Sequence, residues 1–304
     1  MVIPREISLV AVAPKYVVVN KPSGIQCYGT RNYKQFLQPQ LYKHLKNYFA
    51  DSQPNQTKLD PNEFKIVQRL DKYTSGGLVV GRGGYGRVLA DSLAGRKSTV
   101  VLTRRYVGIL SLEKPASGFL EKIDEVTETA NGWSGHIRHN IEALARDYNY
   151  STNARPTISY TAHTKFYLLN TPFSPKKSQI QRHPGLYNNK ILYPIVFELV
   201  TGRKNQIRDH VTQAFGTTLL NDDKFSDFKM VSAKTTNKNE TQEPQNPNSE
   251  IYSSNQIGLH SGYIRVGNEH YMIPVPECDR ELWSGFLDAG WFKKDIAKPL
   301  RYGW

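Results

Sequence analysis

Short apolar runs separated by turn residues make up most of the hydrophobic pattern of this chain. Tyr16 to Val19 is one such run, and the segment from Asn20 to Gly24 ends it with a proline and a glycine. This order predicts a strand followed by a sharp turn. The same pattern predicts further strands at residues 64–67, 78–80, 106–112 and 259–266.

The clearest alternation lies between Ile191 and Val200. Apolar side chains recur there at every second position, at Tyr193, Ile195, Phe197 and Leu199. Because successive side chains of a strand point to opposite faces, this spacing predicts a long strand with one face in the core.

Helical spacing is present in three segments. Between Tyr33 and Phe49, leucines recur every fourth residue while lysines take other positions, which predicts a basic amphipathic helix after Pro39. Residues 88–93 predict a short helix that ends at Gly95. Residues 204–215 predict a third helix, with its apolar face at Ile207, Val211, Ala214 and Phe215 and with Gly216 at its end.

The order of these elements predicts an α+β fold, because many strands and few helices follow one another without regular βαβ alternation. Residues 118–155 are polar and aperiodic, which favours a peripheral insertion. Residues 234–255 are rich in Asn, Thr, Gln and Ser, which predicts a disordered loop within the domain. We therefore expect residues 1–304 to form a single catalytic domain.

The charge balance narrows the choice of partners. The chain has 40 Lys and Arg against 27 Asp and Glu, a formal net charge of +13. Such an excess favours encounters with polyanions, nucleic acid first and an anionic membrane surface second. Taken alone, the positive charge is explained equally well by a contribution to solubility as by a polyanionic partner. Cys27 and Cys278 have no metal-ligand spacing, and no apolar run is long enough to cross a bilayer.

Three segments have residue types that suit catalysis. In Gln68–Gly77, Asp71 lies near the cations Arg69 and Lys72, which would keep a nucleophilic carboxylate ionised. Taken alone, this segment is better explained by a surface turn with an ordinary ion pair. In Thr201–His210, Arg203 and Arg208 are suited to phosphates or to a buried carboxylate, although a solvated basic face is an equal alternative.

The third segment is the strand that contains Arg104, Tyr106 and Gly108, which share one face. A tyrosine beside arginines can stack on a base or move a proton. With 18 tyrosines in the chain, core packing is the more common role for any one of them.

Taken in order, these segments resemble the RluA-type family of RNA pseudouridine synthases. The family's N-K-P-x-G turn corresponds to Asn20–Gly24, and its H-R-L-D-x-x-T-S-G signature corresponds to Gln68–Gly76. The tyrosine strand corresponds to Arg104–Gly108, and T-G-R-x-H-Q-I-R-x-H corresponds to Thr201–His210. The two remaining matches are the G-D-x-x-Y-like stretch at 221–225 and the late L-H-A strand at 259–261.

The resemblance implies the pseudouridine synthase fold, which has a largely antiparallel mixed central sheet, flanking helices and a catalytic cleft. It implies that Asp71 is the nucleophile, that Arg208 pairs with Asp71, and that Tyr106 stacks under the uracil and assists removal of the proton from carbon five. It also implies that Arg69 fills the gap left by the flipped base. We assign further RNA contacts to Arg203 and Gln206, and we expect no cofactor and no metal.

Four positions depart from the family pattern. Gln68 and Asn205 stand where the family has His, Phe225 replaces Tyr, and Ser261 replaces Ala. Because the Asp, Tyr and Arg positions are kept, we expect an active enzyme. The alternatives are a non-catalytic RNA-binding or ribosome-assembly factor on the same fold, favoured by Gln68 and Asn205, and a transfer RNA pseudouridine synthase.

The expected partner is RNA, with ribosomal RNA ahead of transfer RNA. In its compact size, without an added domain, the chain resembles a yeast member of the family that modifies mitochondrial large-subunit ribosomal RNA. That similarity implies a mitochondrial location, with cytoplasm or nucleus as alternatives. We expect a monomer that does not act at membranes.

Overall fold

The computed structural model describes residues 5–29, 35–52, 60–112, 123–144, 157–187, 190–222 and 256–304. The strands are β1 (Ser8–Val12), β2 (Tyr16–Lys21), β3 (Phe64–Ile66), β4 (Ser75–Arg82), β5 (Leu102–Leu112), β6 (Asp124–Thr129), β7 (Gly132–Ile137), β8 (Ile141–Leu144), β9 (Thr157–Tyr160), β10 (Thr164–Leu169), β11 (Ile191–Leu199), β12 (Leu259–Val266), β13 (Glu269–Met272), β14 (Leu287–Asp288) and β15 (Trp291–Phe292). The α-helices are α1 (Leu37–Ser52), α2 (Tyr85–Leu93), α3 (Lys177–Arg182), α4 (Pro184–Tyr187), α5 (Gln206–Phe215), α6 (Arg280–Trp283) and α7 (Lys294–Tyr302). Short 3-10 helices lie at Pro61–Glu63 and Glu277–Asp279.

One large sheet joins most of these strands. Within the described residues its order is β1-β2-β4-β12-β5-β11-β10-β7-β6, with β3 paired to β4 and β13 paired to β12. The β4–β12 pair is parallel, and the other neighbours in this sheet are antiparallel. The α+β class and the largely antiparallel mixed sheet are therefore confirmed.

Both faces of the central part of the sheet are buried. The alternating residues Tyr193, Ile195 and Phe197 of β11 share one core with the apolar faces of α1 and α5. On the opposite face of the same strand, Val196 packs in a core that includes Ile296 and Leu300 of α7. The long strand predicted from the alternation is thus present, and its second face is buried as well.

The helices begin at slightly different residues from those predicted. Helix α1 begins at Leu37, so Pro39 lies in its first turn, where a missing N–H costs nothing. Helix α5 begins at Gln206 and not at residue 204, because Asn205 has a left-handed backbone with φ of 58°. Asparagine tolerates this conformation better than most residues. Gly216 ends α5 with φ of 60°, as expected.

Residues 118–155, which we expected to be a peripheral insertion, contain strands in their described part. Strands β6 and β7 form a hairpin that extends the central sheet at its edge, and β8 pairs with β9. The pattern was hidden because most side chains of β6 are exposed and the strand is held by backbone pairing. Gly135 of β7 leaves room for the ring of Phe166, since a Cβ there would lie 2.7 Å from it.

Two further expectations concern the segment 234–255 and the presence of membrane-spanning helices. The loop predicted to be disordered at 234–255 lies outside the described residues. In the described part of the chain, no helix has the length and apolar character needed to cross a lipid bilayer.

Candidate active site

The loop between β3 and β4 contains Asp71, and the turn after β2 holds it. Gly24 N–H donates to the carbonyl of Lys72 at 2.7 Å, and the Lys21 ammonium donates to the same oxygen at 3.3 Å. The Cys27 thiol donates to the carbonyl of Leu70 at 3.3 Å. Lys21 is fully buried, and this burial lowers its pKa to about 8. The N-K-P-S-G segment therefore fixes the backbone after Asp71, and Cys27 fixes the backbone before it.

The small residues after Asp71 allow β12 to run beside β4. Gly76 has φ of 110°, and a Cβ at this position would lie 2.4 Å from the carbonyl oxygen of Ser261. The Ser75 hydroxyl and His260 Nδ1 form a hydrogen bond of 2.9 Å across the same pair of strands. The T-S-G-G and L-H-S segments are thus two sides of one parallel contact, which anchors the end of the Asp71 loop.

Arg208, on the first turn of α5, links Asp71 to a second carboxylate. Its Nη1 donates to Asp71 Oδ2 at 3.2 Å, and its Nε and Nη2 donate to the two oxygens of Asp222 at 2.7 and 2.6 Å. The side chains of Arg208 and Asp222 are 6% and 1% exposed, whereas that of Asp71 is 29% exposed. Asp222 therefore fixes Arg208 from inside, and Asp71 remains open to the cleft.

The charges around Arg208 favour its protonated form. Burial acts to lower the pKa of its guanidinium, but the hydrogen bonds and charge of Asp222, together with Asp71, outweigh this effect and raise the pKa. Asn205 adds a further acceptor, because its Oδ1 lies 3.3 Å from Arg208 Nη1. A permanently charged, fixed guanidinium is suited to hold a carboxylate in one orientation.

Tyr106 lies on β5, opposite Ser261 of β12. Its side chain is almost completely buried, and burial raises the pKa of the phenol, while the positive charge of Arg104 opposes that shift. Asp71, Tyr106 and Arg208 together line a small cavity of about 60 Å³. The structure therefore brings together the three residues predicted to be catalytic.

A larger cleft of about 720 Å³ adjoins this small cavity, and Asp71 and Tyr106 line the cleft as well. One wall is formed by Tyr28, residues 67–69 and the end of α2. The other wall is formed by residues 199–205, and Arg104 lines the cleft as well. A cleft of this volume accommodates a nucleotide that has left its helix.

The residues assigned to RNA contact have different surroundings. Arg69 and Arg203 are exposed and line the cleft. The guanidinium of Arg203 donates to the carbonyl of Thr161 at 3.2 Å and lies 5.4 Å from the ring centre of Tyr160. Both arginines are accessible to a bound strand.

Gln206 is buried, and its side-chain amide is already used within the protein. Its oxygen accepts hydrogen bonds from the Thr201 hydroxyl and from the Arg203 N–H. Its nitrogen donates to the His163 carbonyl and to the Thr164 hydroxyl. In this geometry Gln206 holds the turn that carries Arg203, and its direct contact with RNA stays a prediction.

Three of the four positions that depart from the family pattern lie in the same region. Gln68 is buried at the cleft, and its Nε2 lies 3.5 Å from the carbonyl of Gly77. Asn205 supplies the left-handed turn before α5 and touches Arg208, as described above. Ser261 is buried beside Tyr106, and Phe225 lies outside the described residues.

Sequence reasoning did not assign a role to two residues of the site. Asp222 was noted only within a motif, and its pairing with Arg208 follows from the tertiary fold. Arg104 was named only for its place on the strand, and its burial at the cleft could not be read from a basic stretch. The signal for Asp222 was the acidic pair after Asn221.

Comparisons with known proteins agree on one family. The family model described as RNA pseudouridylate synthase matches residues 15–213. The 21S rRNA pseudouridine(2819) synthase of Candida albicans is 38% identical over 278 residues, which cover 88% of this chain and 96% of that protein. The enzyme of the same name from Eremothecium gossypii is 25% identical over 300 residues, covering 94% of this chain and 84% of that protein.

Two solved structures are also similar. Human RNA Pseudouridylate Synthase Domain Containing 1 has 17% identity and a TM-score of 0.49, with 98% of this chain and 96% of that chain covered. Human RNA Pseudouridylate Synthase Domain Containing 4 has 14% identity and a TM-score of 0.49, with 89% of each chain covered.

Proposed function

Because the chain belongs to the RNA pseudouridylate synthase family and is an RNA pseudouridine synthase, we propose that Asp71 is the nucleophile of the reaction, held by Arg208 beside Tyr106. The observation that carries this assignment is the contact of 3.2 Å between Arg208 and Asp71, with Arg208 itself fixed by Asp222. The position of Asp71 also supports the proposal, because its carboxylate is 29% exposed and lines a cleft of nucleotide size.

The reaction is an isomerisation in which the base is turned and rejoined. The bond between N1 of uracil and C1′ of ribose breaks, and a bond between C5 and C1′ forms. C5 loses its proton, and N1 gains one. Asp71 begins the cleavage as nucleophile, and Arg208 keeps its carboxylate ionised and oriented. No redox change occurs, so no redox cofactor is required; the absence of a metal from the reaction stays a prediction.

Tyr106 lines the same cavity as Asp71. Its ring provides a surface on which the free uracil rests during rotation. We assign to its hydroxyl the relay of the C5 proton in the last step, in which the oxygen accepts that proton as it passes its own proton on toward N1. Arg69, exposed beside Asp71, takes the place of the flipped base in the RNA helix.

For the target, we propose a uridine in 21S ribosomal RNA. Relatives that this chain matches over most of their length have names that specify this RNA. Since 21S ribosomal RNA belongs to the mitochondrial large subunit in yeasts, a mitochondrial location follows from the same proposal. The basic charge of the chain supports an RNA partner.

Mapping pseudouridines in cells that lack this protein tests the activity and the target together. We expect one pseudouridine to disappear from mitochondrial large-subunit RNA and to return when the wild-type gene is supplied. A gene encoding Asp71→Asn should not restore it. An unchanged mitochondrial map would overturn the proposed target, and a loss in transfer RNA would replace it with that RNA.

A further inference from the structure

The second buried arginine of the site, Arg104, has very different surroundings from Arg208. Arg104 lies on β5, two residues before Tyr106, and is 5% exposed. Within the described residues, no carboxylate lies at ion-pair distance from its guanidinium, and its buried Nε has no hydrogen-bond partner. Burial lowers the pKa of this guanidinium, and only the neighbouring Tyr106 phenol opposes that effect.

Neither carboxylate of the site neutralises Arg104. Asp71 and Asp222 both pair with Arg208, and the side-chain partner of Arg104 among the described residues is the phenol of Tyr106, which leaves the charge of Arg104 without a carboxylate and its Nε without an acceptor. Burying an unpaired cation is destabilising. A buried arginine without a carboxylate partner is therefore typical of a site where a bound ligand supplies the negative charge. Because Arg104 lines the large cleft, a ligand in that cleft can reach it.

Gly202 lies directly against the terminal nitrogens of Arg104. A Cβ at position 202 would lie 3.3 Å from both Nη1 and Nη2. Gly202 is exposed and lies on the cleft wall, so the missing side chain leaves the approach to these two nitrogens open. Two parallel donors facing an opening fit a group with several anionic oxygens.

We propose that Arg104, reached past Gly202, binds a backbone phosphate of the RNA strand next to the flipped uridine. This inference rests on the proposed function, since it concerns the RNA bound in the same cleft. A phosphate supplies both the negative charge and the paired acceptors that Arg104 lacks. A uracil carbonyl or a ribose hydroxyl would supply an acceptor without the charge.

RNA binding by purified variants tests the inference. All variants are made in an Asp71→Asn background, and the probe is a fluorescein-labelled fragment of 21S ribosomal RNA that wild-type enzyme modifies in a parallel reaction. Failure of wild type to modify this RNA counts against the proposed function or its target. Modification without any effect of Arg104 substitution on binding counts against the inference alone.

Arg104→Met should weaken binding about tenfold, as expected for one charged hydrogen-bonded contact. It should also reduce the slope of log affinity against log salt by about 0.7 to 0.9, the value of one phosphate contact. Its Tm should equal or exceed that of the parent, because an unpaired buried charge has been removed. The control Arg87→Met removes a charge that is 75% exposed and outside the cleft, and its affinity should change less than about twofold.

Gly202→Ala should also weaken binding in the parent, because the added methyl crowds the two Nη atoms. It should have no further effect in Arg104→Met, where those atoms are absent. Unchanged affinity of Arg104→Met, or a lower Tm with normal binding, would overturn the inference. Weaker binding with an unchanged salt slope would assign Arg104 to a base or ribose and would overturn the phosphate contact.

Discussion

Among the individual residues of the site, Arg208 has the central position, because its guanidinium pairs with both the accessible Asp71 and the buried Asp222. The contact with Asp71 was expected from the motif order, although 137 positions separate the two residues. The role of Asp222 required the fold, since an acidic pair after Asn221 does not by itself distinguish a buried partner from an ordinary surface acid. Catalytic roles for these residues stay predictions until variants are measured.

Replacing the inner carboxylate should affect both stability and turnover. Asp222→Asn removes the bidentate partner of Arg208, and we expect a loss of about 3 kcal/mol in the free energy of unfolding. The rate constant kcat should fall about tenfold or more with little change in KM, because Arg208 is displaced from Asp71. Urea unfolding and steady-state kinetics measure the two effects.

Asp209→Asn is the matched control, since Asp209 directly follows Arg208 on α5. Among the described residues, the hydrogen bond of its side chain is to Gln213 on the surface of the helix. It should change stability by less than about 1 kcal/mol and leave kcat unchanged. If Asp222→Asn resembled this control in both measurements, the positioning role of Asp222 would be lost.

Tyr106→Phe separates the ring of Tyr106 from its oxygen. The ring remains to support the uracil, but the acceptor for the C5 proton is absent. We expect turnover to fall about 10²-fold or more with RNA affinity unchanged. Release of tritium from RNA labelled at C5 of uridine measures this step, and near-normal release would limit Tyr106 to stacking.

At the scale of secondary-structure elements, the parallel contact between β4 and β12 decides how the Asp71 loop is held. The sequence predicted both strands, because each has a clear apolar run. It could not predict that they lie side by side in parallel, since this pairing joins residues 75 and 260. Strand pairing of this kind is made by backbone atoms, so the only sign of it in the sequence is the presence of glycine and other small residues.

Gly76→Ala tests this contact. The residue has φ of 110°, and an added Cβ would overlap the Ser261 backbone, so we expect a loss of about 3 kcal/mol or more. Gly95→Ala is the control, because Gly95 also has a positive φ of 68° but no atom within 4 Å of an added Cβ. It should cost only about 1–2 kcal/mol. Equal losses in thermal or urea unfolding would contradict the proposed close approach.

Element boundaries show a second limit of sequence reasoning. The start of α5 was misplaced by two residues, because Lys204 and Asn205 fit a helical pattern while the backbone of Asn205 is left-handed. Gln206 was read as an RNA contact, because a polar residue beside arginines resembles a binding surface. Its hydrogen bonds with Thr201, His163 and Thr164 depend on β10 and the preceding turn, which the local sequence does not specify.

For the whole molecule, the fold class and the order of motifs were predictable because buried strands have strong apolar patterns. The hairpin β6–β7 was not, because it lies at the sheet edge with polar, exposed side chains. The resemblance implied a catalytic cleft, but its lining could not be predicted, since it comes from residues 28, 67–69, 71, 90, 93–96, 104, 106 and 199–205.

Buried histidines make the stability of the whole molecule depend on pH. Burial lowers the pKa of His260 and of His210 to about 4, whereas an exposed histidine has a pKa of 6.5. Between these values the unfolded chain binds more protons than the folded protein, so stability is complete above pH 6.5 and is lost as the pH falls toward 4. Each histidine should remove about 2 kcal/mol between pH 7 and pH 5.

Urea unfolding of wild type and His260→Gln at pH 7 and pH 5 checks this prediction. The variant is expected to be less stable at both values, because the bonds to Ser75 and to the Ile273 carbonyl change. The difference between its two stabilities should nevertheless be about 2 kcal/mol smaller than in wild type. An equal difference would mean that His260 is not the group that is protonated.

The central claim is that the carboxylate of Asp71 carries out the chemistry, and single-turnover release of tritium from uridine-labelled RNA tests it most directly. Asp71→Asn keeps the size of the side chain, and Asp288→Asn, on an exposed residue outside the cleft, is the control. We expect Asp71→Asn to bind RNA and to unfold like wild type while its release rate is at least about 10⁴-fold lower. Release by Asp71→Asn at the rate of Asp288→Asn would contradict the assignment.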